Sequence, residues 1–175
     1  MYKNYLYNTT IYDLVNKFKY VSNNQIPLIK KIVLTIPIEN QSQRTILSVA
    51  LLLKLFSGSA LKFSKKKKTK FFFKLKKGEI ASCQVILSKN YYEFFFFRLI
   101  YNALPENKTT AVVSLKNINF VSLNLDKNFF FQELEMFFTF FKDVSKINLS
   151  LIFKSNNVKE IIVLLNSIKV KSKIK

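Results

Sequence analysis

Histidine is absent from this 175-residue chain, and cysteine occurs once, at Cys83. Without imidazole the commonest general base and metal ligand are gone, together with every Ser-His and Cys-His nucleophile pair. One thiol makes no intrachain disulfide and no cysteine metal cluster. In a strand-like run it reads as a small buried residue. Lysine and carboxylate chemistry stay formally open, but a Schiff-base lysine needs an isolated apolar pocket, and the lysines here stand in crowds. The paired acids Glu133 and Glu135 sit beside a phenylalanine run, with no other reactive group near them in sequence. No catalytic residue, metal site or cofactor is expected, and the chain is not read as an enzyme.

Glycine (2), proline (3), arginine (2) and tryptophan (0) are scarce, while Lys, Asn, Phe and Ile abound. That balance is the mark of a coding sequence pushed toward A and T, as in many organelle genomes. No charge-free run approaches the roughly 18 to 20 apolar residues of a spanning helix; "TILSVALLL" (45–53) is about half that and is flanked by Arg44 and Lys54. The first residues, "MYKNYLYNTTIYD", have neither a signal-peptide pattern nor an Arg-rich presequence. The chain is expected to stay in the compartment where it is made, without membrane insertion.

Acids are the other shortage: 10 against 29 basic residues, a formal net charge of +19. An apolar content of 49% excludes a wholly disordered, charge-driven polymer, and the length suits one domain with its own core. Charge of this size opposes compaction until something neutralises it. Nucleic acid, an anionic lipid surface and an acidic protein are the candidates.

Apolar residues at Ile11, Leu14, Val15 and Phe18 follow the helical i, i+3, i+4, i+7 spacing over 9–19, with Thr10 and Asp13 in capping-box positions. "KKIVLTIPI" (30–38) alternates as a strand, and Pro37 places its end at an unpaired or edge position. Helical spacing returns over 42–56, with Ser42 as the cap and Gly58 just past the end. "ALKFS" (60–64) and "IASCQVILS" (80–88) read as strands around a basic segment. "NYYEFFFFRLIYNALP" (90–105) is a helix with Asn90 and Glu93 at capping spacing and a stop at Pro105. Strand character follows over 112–125, around a turn at "KNIN". "FFFQELEMFFTFF" (129–141) is ambiguous. "KINLSLIF" (146–153) alternates cleanly, and "NNVKEIIVLLNSI" (156–168) is a capped helix before a basic tail at 169–175. Interleaved strands and helices predict an α+β fold over 1–175: one antiparallel sheet with helices packed on one face, a ferredoxin-like or RRM-like sandwich.

Two features stand out. "LKFSKKKKTKFFFKLKKGE" (61–79) holds nine lysines and one acid. Clustered lysines neutralise phosphates with little regard to sequence. A membrane surface would instead call for a long amphipathic helix, which a short, β-prone segment closed by Gly78 is not. The second feature is Phe94 to Phe97. Consecutive helical residues are about 100° apart, so Phe95 with Leu99 and Phe96 with Ile100 make a core face. Phe94 and Phe97 cannot both join it: they reflect either the drift toward A,T-rich codons or a contact for a neighbouring protein.

The order of these segments resembles that of large ribosomal subunit protein five, the 5S rRNA-binding family. "QIPLIKKIVLTIPIEN" (25–40) is similar to its first strand region. "LFSGSALKFSKKKKTKFFFKLKKGEIASCQVILSK" (55–89) is similar to its helix end, basic hairpin and third strand. "YEFFFFRLIYNALP" (92–105) is similar to its central helix. "SLNLDKNFFFQELE" (122–135) and "KINLSLIFKSNNVKEIIVLLNSI" (146–168) are similar to its last strands and helix. The family places Asn where Thr35 stands, Gln at Ser59 and Thr at Ile86, side chains that hydrogen-bond 5S rRNA. Thr35 and Ser59 keep that capacity, and Ile86 loses it. The loop over 106–118 is shorter and lacks the family's glycine-arginine residues that approach peptidyl-site tRNA.

The resemblance implies a scaffold protein of the large subunit's central protuberance, in a mitochondrial rather than a plastid-type ribosome. It would bind 5S rRNA, large-subunit rRNA or both. Lys62, Lys65, Lys66, Lys67, Lys68, Lys70, Lys74, Lys76 and Lys77 would neutralise phosphates, supported by Lys30 and Lys31, with polar contacts from Thr35 and Ser59. Phe94 and Phe97 would meet a neighbouring large-subunit protein. The 106–118 loop would face peptidyl-site tRNA or a small-subunit head protein across the intersubunit bridge. The rival reading is a basic module at a membrane surface, or a general RNA-binding protein.

Overall fold

Strand alternation decides which side of this molecule is covered. In β1 (Leu28–Pro37) Ile32, Leu34 and Ile36 are fully buried, whereas Lys31, Val33 and Thr35 between them are only half-buried. Side chains two apart share a face of a strand, so β1 has one side in the core and the other turned out. The computed structural model describes residues 2–39, 42–69, 76–87, 89–103, 110–113, 120–125, 136–144, 146–155, 157–167 and 170–174.

Helix α1 (Tyr2–Lys17) leads through a 3₁₀ turn (Asn23–Gln25) into β1. Then come α2 (Gln43–Ser57), the hairpin of β2 (Leu61–Lys65) and β3 (Ile80–Leu87), and α3 (Lys89–Arg98), which ends in a π-helical turn (Leu99–Ala103). β4 (Thr110–Val113), β5 (Phe120–Leu125), a short α4 (Phe138–Phe141), β6 (Ile147–Lys154), α5 (Val158–Ser167) and β7 (Lys171–Ile174) complete the described elements. The described strands form one seven-stranded sheet in the order β2-β3-β1-β6-β5-β4-β7. Its half containing β6-β1-β3-β2 has the strand order of a ferredoxin-like sheet, with α2 between β1 and β2, and α3, β4, β5 and α4 between β3 and β6; all its pairings are antiparallel. The expected α+β sheet with helices on one face is what the chain adopts.

The core is continuous. Ile32, Leu34 and Ile36 of β1 meet Leu87, Val85 and Cys83 directly opposite on β3. Leu149, Leu151 and Phe153 of β6 and Val121, Leu123 and Leu125 of β5 extend that layer. Leu14 of α1, Val49, Leu52 and Leu53 of α2, Phe95, Phe96 and Leu99 after β3, and Ile161, Leu164 and Leu165 of α5 close over it. Burying a leucine or phenylalanine stabilises by about 1.5–3 kcal/mol each, so this one layer supplies the drive for folding.

Helix ends follow local chemistry. Ser42 Oγ accepts the Thr45 N–H at 3.2 Å, as a cap should. Gly58 closes α2 with φ +58°, its N–H reaching Lys54 O at 2.9 Å. Before α5, Ser155 Oγ takes the Asn157 N–H, and the buried Glu160 carboxylate accepts from Ser155 Oγ and Asn157 Nδ2 at 3.0 and 3.1 Å.

Some expectations need correcting. α1 starts at Tyr2, so Thr10 lies inside the helix rather than at its cap. Asp13 instead accepts a hydrogen bond from Ser167 Oγ of α5, at 2.9 Å. α3 begins at Lys89, which puts Asn90 inside it too. Pairing of β1 with β6 stops at Thr35, short of Pro37 as anticipated, while Pro37 still faces Ser82 of β3. Residues 171–174 of the basic tail form β7, parallel to β4 at the sheet edge. The ambiguous 129–141 segment is helical at Phe138–Phe141; 126–135, with Glu133 and Glu135, lie outside the described residues, as does most of 106–118.

Candidate nucleic-acid interface

On the side of the sheet away from the helices, register lines up one polar side chain per strand. Lys62 of β2 is opposite Gln84 of β3, Gln84 opposite Thr35 of β1, Thr35 opposite Asn148 of β6, and Asn148 opposite Asn124 of β5. Neighbouring strands are about 4.8 Å apart, so the row spans roughly 19 Å. Lys62 and Asn124 are exposed, and the three between are half-buried. Amides and hydroxyls both donate and accept, which suits base edges and ribose 2′-hydroxyls.

Beside this row the face changes character. Ile86 and Val33 are paired, flanked by Ser150 and Ser122. Ile86, 40% exposed, thus stands diagonally from Thr35 as an apolar interruption. In the other direction Ser64 and Ser82 hydroxyls share a 2.6 Å hydrogen bond. No aromatic side chain stands in the polar row, so it is a hydrogen-bonding surface rather than the base-stacking platform of an RRM sheet.

Cations bracket the row instead of forming one patch. At the Pro37 end lies the β2–β3 hairpin, where Lys65, Lys67, Lys68, Lys76 and Lys77 are exposed. Lys70 and Lys74 are outside the described residues. Lys66 differs from its neighbours: its Nζ is 2.9 Å from Glu79 Oε2, and that oxygen also accepts the Lys76 N–H at 3.3 Å. Backbone bonds between Lys66 and Glu79 and between Gly78 and Lys66 complete the lock. The Lys66 hydrogen bond holds the Glu79 carboxyl below its ordinary range; partial burial opposes this, and the Lys76 N–H and both lysine charges add to it. Part of the Lys66 charge is therefore spent inside the protein.

At the opposite end, Lys31 lies four residues before Thr35 on the same face, roughly 13 Å away along the strand. Lys30 occupies the irregularity between Ile29 and Lys31 and is exposed. Lys154, exposed and opposite Leu28, adds a cation there.

Ser59 is less available than its position suggests. Its Oγ donates to Ser57 O at 3.1 Å, its N–H donates to Ser57 Oγ at 3.2 Å, and its carbonyl receives Lys54 Nζ at 3.4 Å. Its first task is to finish α2. On α3, Phe94 is 56% exposed with the Arg98 guanidinium 5.6 Å from its ring centroid. Phe97 is half-buried, its ring 4.2 Å from that of Tyr101. Phe95 and Phe96 are in the core and Phe94 is outside it, whereas Phe97, expected outside with Phe94, is half-buried.

Sequence reading overlooked Gln84, Asn124, Asn148 and Lys154. Each holds the non-core parity of its alternating strand, a signal visible for Gln84 in "IASCQVIL" and for Asn148 in "KINLSLIF", but the alignment of Gln84, Asn148 and Asn124 with Thr35 is fixed only by register.

No family model matches the sequence. Several curated proteins do. Large ribosomal subunit protein uL5m of Reclinomonas americana is 27% identical over 163 residues, 90% of each chain. Protein uL5 of Borreliella burgdorferi (strain ZS7) is 27% identical over 164 residues, 90% of this chain and 88% of that one. Protein uL5 of Wigglesworthia glossinidia brevipalpis is 32% identical over 127 residues, 70% of this chain and 71% of its own. With segment order and sheet architecture pointing the same way, the chain belongs to the large ribosomal subunit protein uL5 family.

Proposed function

We propose that this protein is a non-catalytic structural constituent of the large ribosomal subunit that lays the helix-free face of its sheet against rRNA. The observation that carries the reading is the polar row Lys62–Gln84–Thr35–Asn148–Asn124, cut straight across five strands and bracketed by lysines. An uncovered sheet face with alternating amides and hydroxyls has no role in the protein's own core. Phosphate contacts position a partner and side-chain contacts to bases or sugars discriminate it; apart from Lys62 at the end of the row, the cations stand at its two sides. Lys30, Lys31, Lys65, Lys67, Lys68, Lys76 and Lys77, with Lys70 and Lys74 in the same segment, supply the first kind. Thr35 and the amides supply the second, while Lys66 and Ser59 serve mainly to shape the hairpin and the end of α2.

In the finer reading the subunit is mitochondrial and the position is the central protuberance. The RNA is 5S rRNA or the large-subunit rRNA that replaces it. Residues 106–118 face peptidyl-site tRNA or a small-subunit head protein across the bridge. The uL5m name of the Reclinomonas americana relative and the A,T-driven composition support the organelle; the bacterial relatives support the ribosome without the organelle.

The test is binding of the full chain to 5S and large-subunit rRNA fragments against anionic vesicles, titrated with salt. Binding to RNA should fall by about one power of salt concentration per phosphate contact. Preference for vesicles, or indifference to RNA at low ionic strength, overturns the reading. Among the described residues no helix is long and apolar enough to cross a membrane.

A further inference from the structure

α2 exposes leucines on its outer side, with the exposed polar residues Gln43 and Arg44 at its start and Lys54 near its end. Its inner side carries Val49, Leu52 and Leu53 into the core, while Leu47, Leu51 and Leu55 form an outward line at i, i+4 and i+8, between 55 and 63% exposed. A helix covered on one side normally presents polar residues on the other, and three exposed leucines among so few polar residues depart from that. The line continues past the helix end. The Tyr91 ring lies 3.7 Å from where a side chain on Gly58 would begin, and Tyr91 and Phe94 of α3 are both more than half exposed. Leu47 to Leu55 cover about 12 Å of helix, and beyond them Tyr91 and Phe94 carry the exposed apolar surface onto α3, with the Arg98 guanidinium over the Phe94 ring.

Charge indicates what covers it. The only ionic residues of α2 are Arg44 in its first turn and Lys54 in its last, both exposed. Lys54 suits its place, near the carbonyls of Gly58 and Ser59. Arg44 does not: it sits at the positive end of the helix dipole, where an anion is favoured, and α2 has no acid in that turn. An external carboxylate would relieve it. A second copy of this chain cannot be the occupant, since it brings the same cationic rim and a further +19. RNA supplies anions but nothing to bury three leucines.

We infer that the outer face of α2, extended by Tyr91 and Phe94, is the seat of an amphipathic helix from another large-subunit protein, with an apolar stripe against Leu47, Leu51 and Leu55 and a carboxylate opposite Arg44. The identity of the neighbour as a subunit protein rests on the proposed ribosomal function. The face lies across the core from the polar row, so RNA and this helix can be held together.

The experiment places a benzophenone side chain at position 51 of the full chain, assembled into large subunits and irradiated. The expected result is an adduct to one protein segment that carries apolar residues at i, i+3 or i+4 together with Asp or Glu. Leu51→Glu, at an exposed site, should retain the circular dichroism and rRNA binding of the parent and lose that neighbour about tenfold or more. Adducts to rRNA, to lipid or to a second copy overturn the inference, as does an assembled subunit in which position 51 reacts with nothing. Cosedimentation is read separately. A chain found in the large-subunit fraction with α2 bare sinks this inference alone, and a chain absent from that fraction sinks the ribosomal reading with it.

Discussion

Thr35 and Gln84 stand directly opposite one another on β1 and β3, on the face of the sheet that no helix covers among the described residues. Asn148 flanks Thr35 on its other side, so three hydrogen-bonding side chains are held side by side by rigid strands. Single substitutions Thr35→Ala, Gln84→Ala and Asn148→Ala should each weaken rRNA-fragment binding about fivefold, the scale of one hydrogen bond at ~1 kcal/mol. Stability should change by no more than about 0.5 kcal/mol, because these sites are outside the core. The salt dependence should stay as in the parent, since no phosphate contact is lost. Three variants that all bind as the parent does would remove the polar row from the interface.

The hairpin lysines should behave in two classes. Lys67→Ala or Lys68→Ala removes an exposed charge and should lower the slope of log affinity against log salt by about one each. Lys66→Ala removes a charge already shared with Glu79 at 2.9 Å, so its slope should change less. Its distinct effect is on the hairpin, where Glu79 also holds the Lys76 N–H. Equal slopes for Lys66→Ala and Lys67→Ala would show that the ion pair opens when RNA binds.

Much of this architecture could be read from pattern alone. Alternation in 30–38, 80–88 and 146–153 named three strands, because burying a single face forces a period of two; that they lie inside the sheet rather than at its edge comes from pairing. Ser42 and Gly58 bounded α2 through capping chemistry that is local to the chain. Where the sequence misled, a longer-range partner was responsible. Thr10 and Asp13 have capping spacing, yet α1 runs back to Tyr2 and Asp13 bonds Ser167, 154 residues away. β7 gives no strand signal of its own, since lysines fill half of 171–174, and it exists through parallel pairing with β4. The candidate site divided in the same way. Lysine runs are visible as composition, whereas the row through Gln84, Asn148 and Asn124 requires the register of four strand pairs.

Gly58 carries a conformational rather than a steric requirement. Its φ is +58°, while an added Cβ would meet the Tyr91 ring at 3.7 Å, an ordinary contact. Gly58→Ala should therefore cost about 1–2 kcal/mol from the left-handed backbone alone, seen as a lower urea midpoint with unchanged slope. Gly58→Asn, which tolerates that region better, should recover part of it. A neutral Gly58→Ala would mean that the end of α2 unwinds without consequence.

Core truncation gives the scale against which those effects are judged. Leu34 is fully buried between Val85 and Leu149, its register partners on β3 and β6. Leu34→Ala should cost about 2–5 kcal/mol by lost burial and a residual cavity, measured by chemical denaturation of the free chain. A cost below 1 kcal/mol would mean that the sheet and helices are not closely packed around β1.

Acid should loosen the basic hairpin before it unfolds the protein. Hydrogen bonding from Lys66 is the leading cause of the lowered Glu79 pKa, relative to an ordinary value of 4.5. A carboxyl whose folded value lies below its unfolded one contributes stability that is complete above the unfolded value and disappears as pH falls through the folded one. The window is therefore below 4.5, and the direction is loss on acidification. Amide exchange at Lys76, whose N–H is held by the carboxylate itself, should lose protection first. The Lys66 N–H, donated to the Glu79 backbone carbonyl, should follow. Protection is compared with the intrinsic exchange rate at each pH, so the acid slowing of exchange itself does not mask the change. Glu79→Gln keeps the shape and removes the titration, and its hairpin protection should be lower at neutral pH and flat across the window. A parent hairpin whose protection is equally flat would show that the Lys66–Glu79 contact does not hold the two strands together in solution.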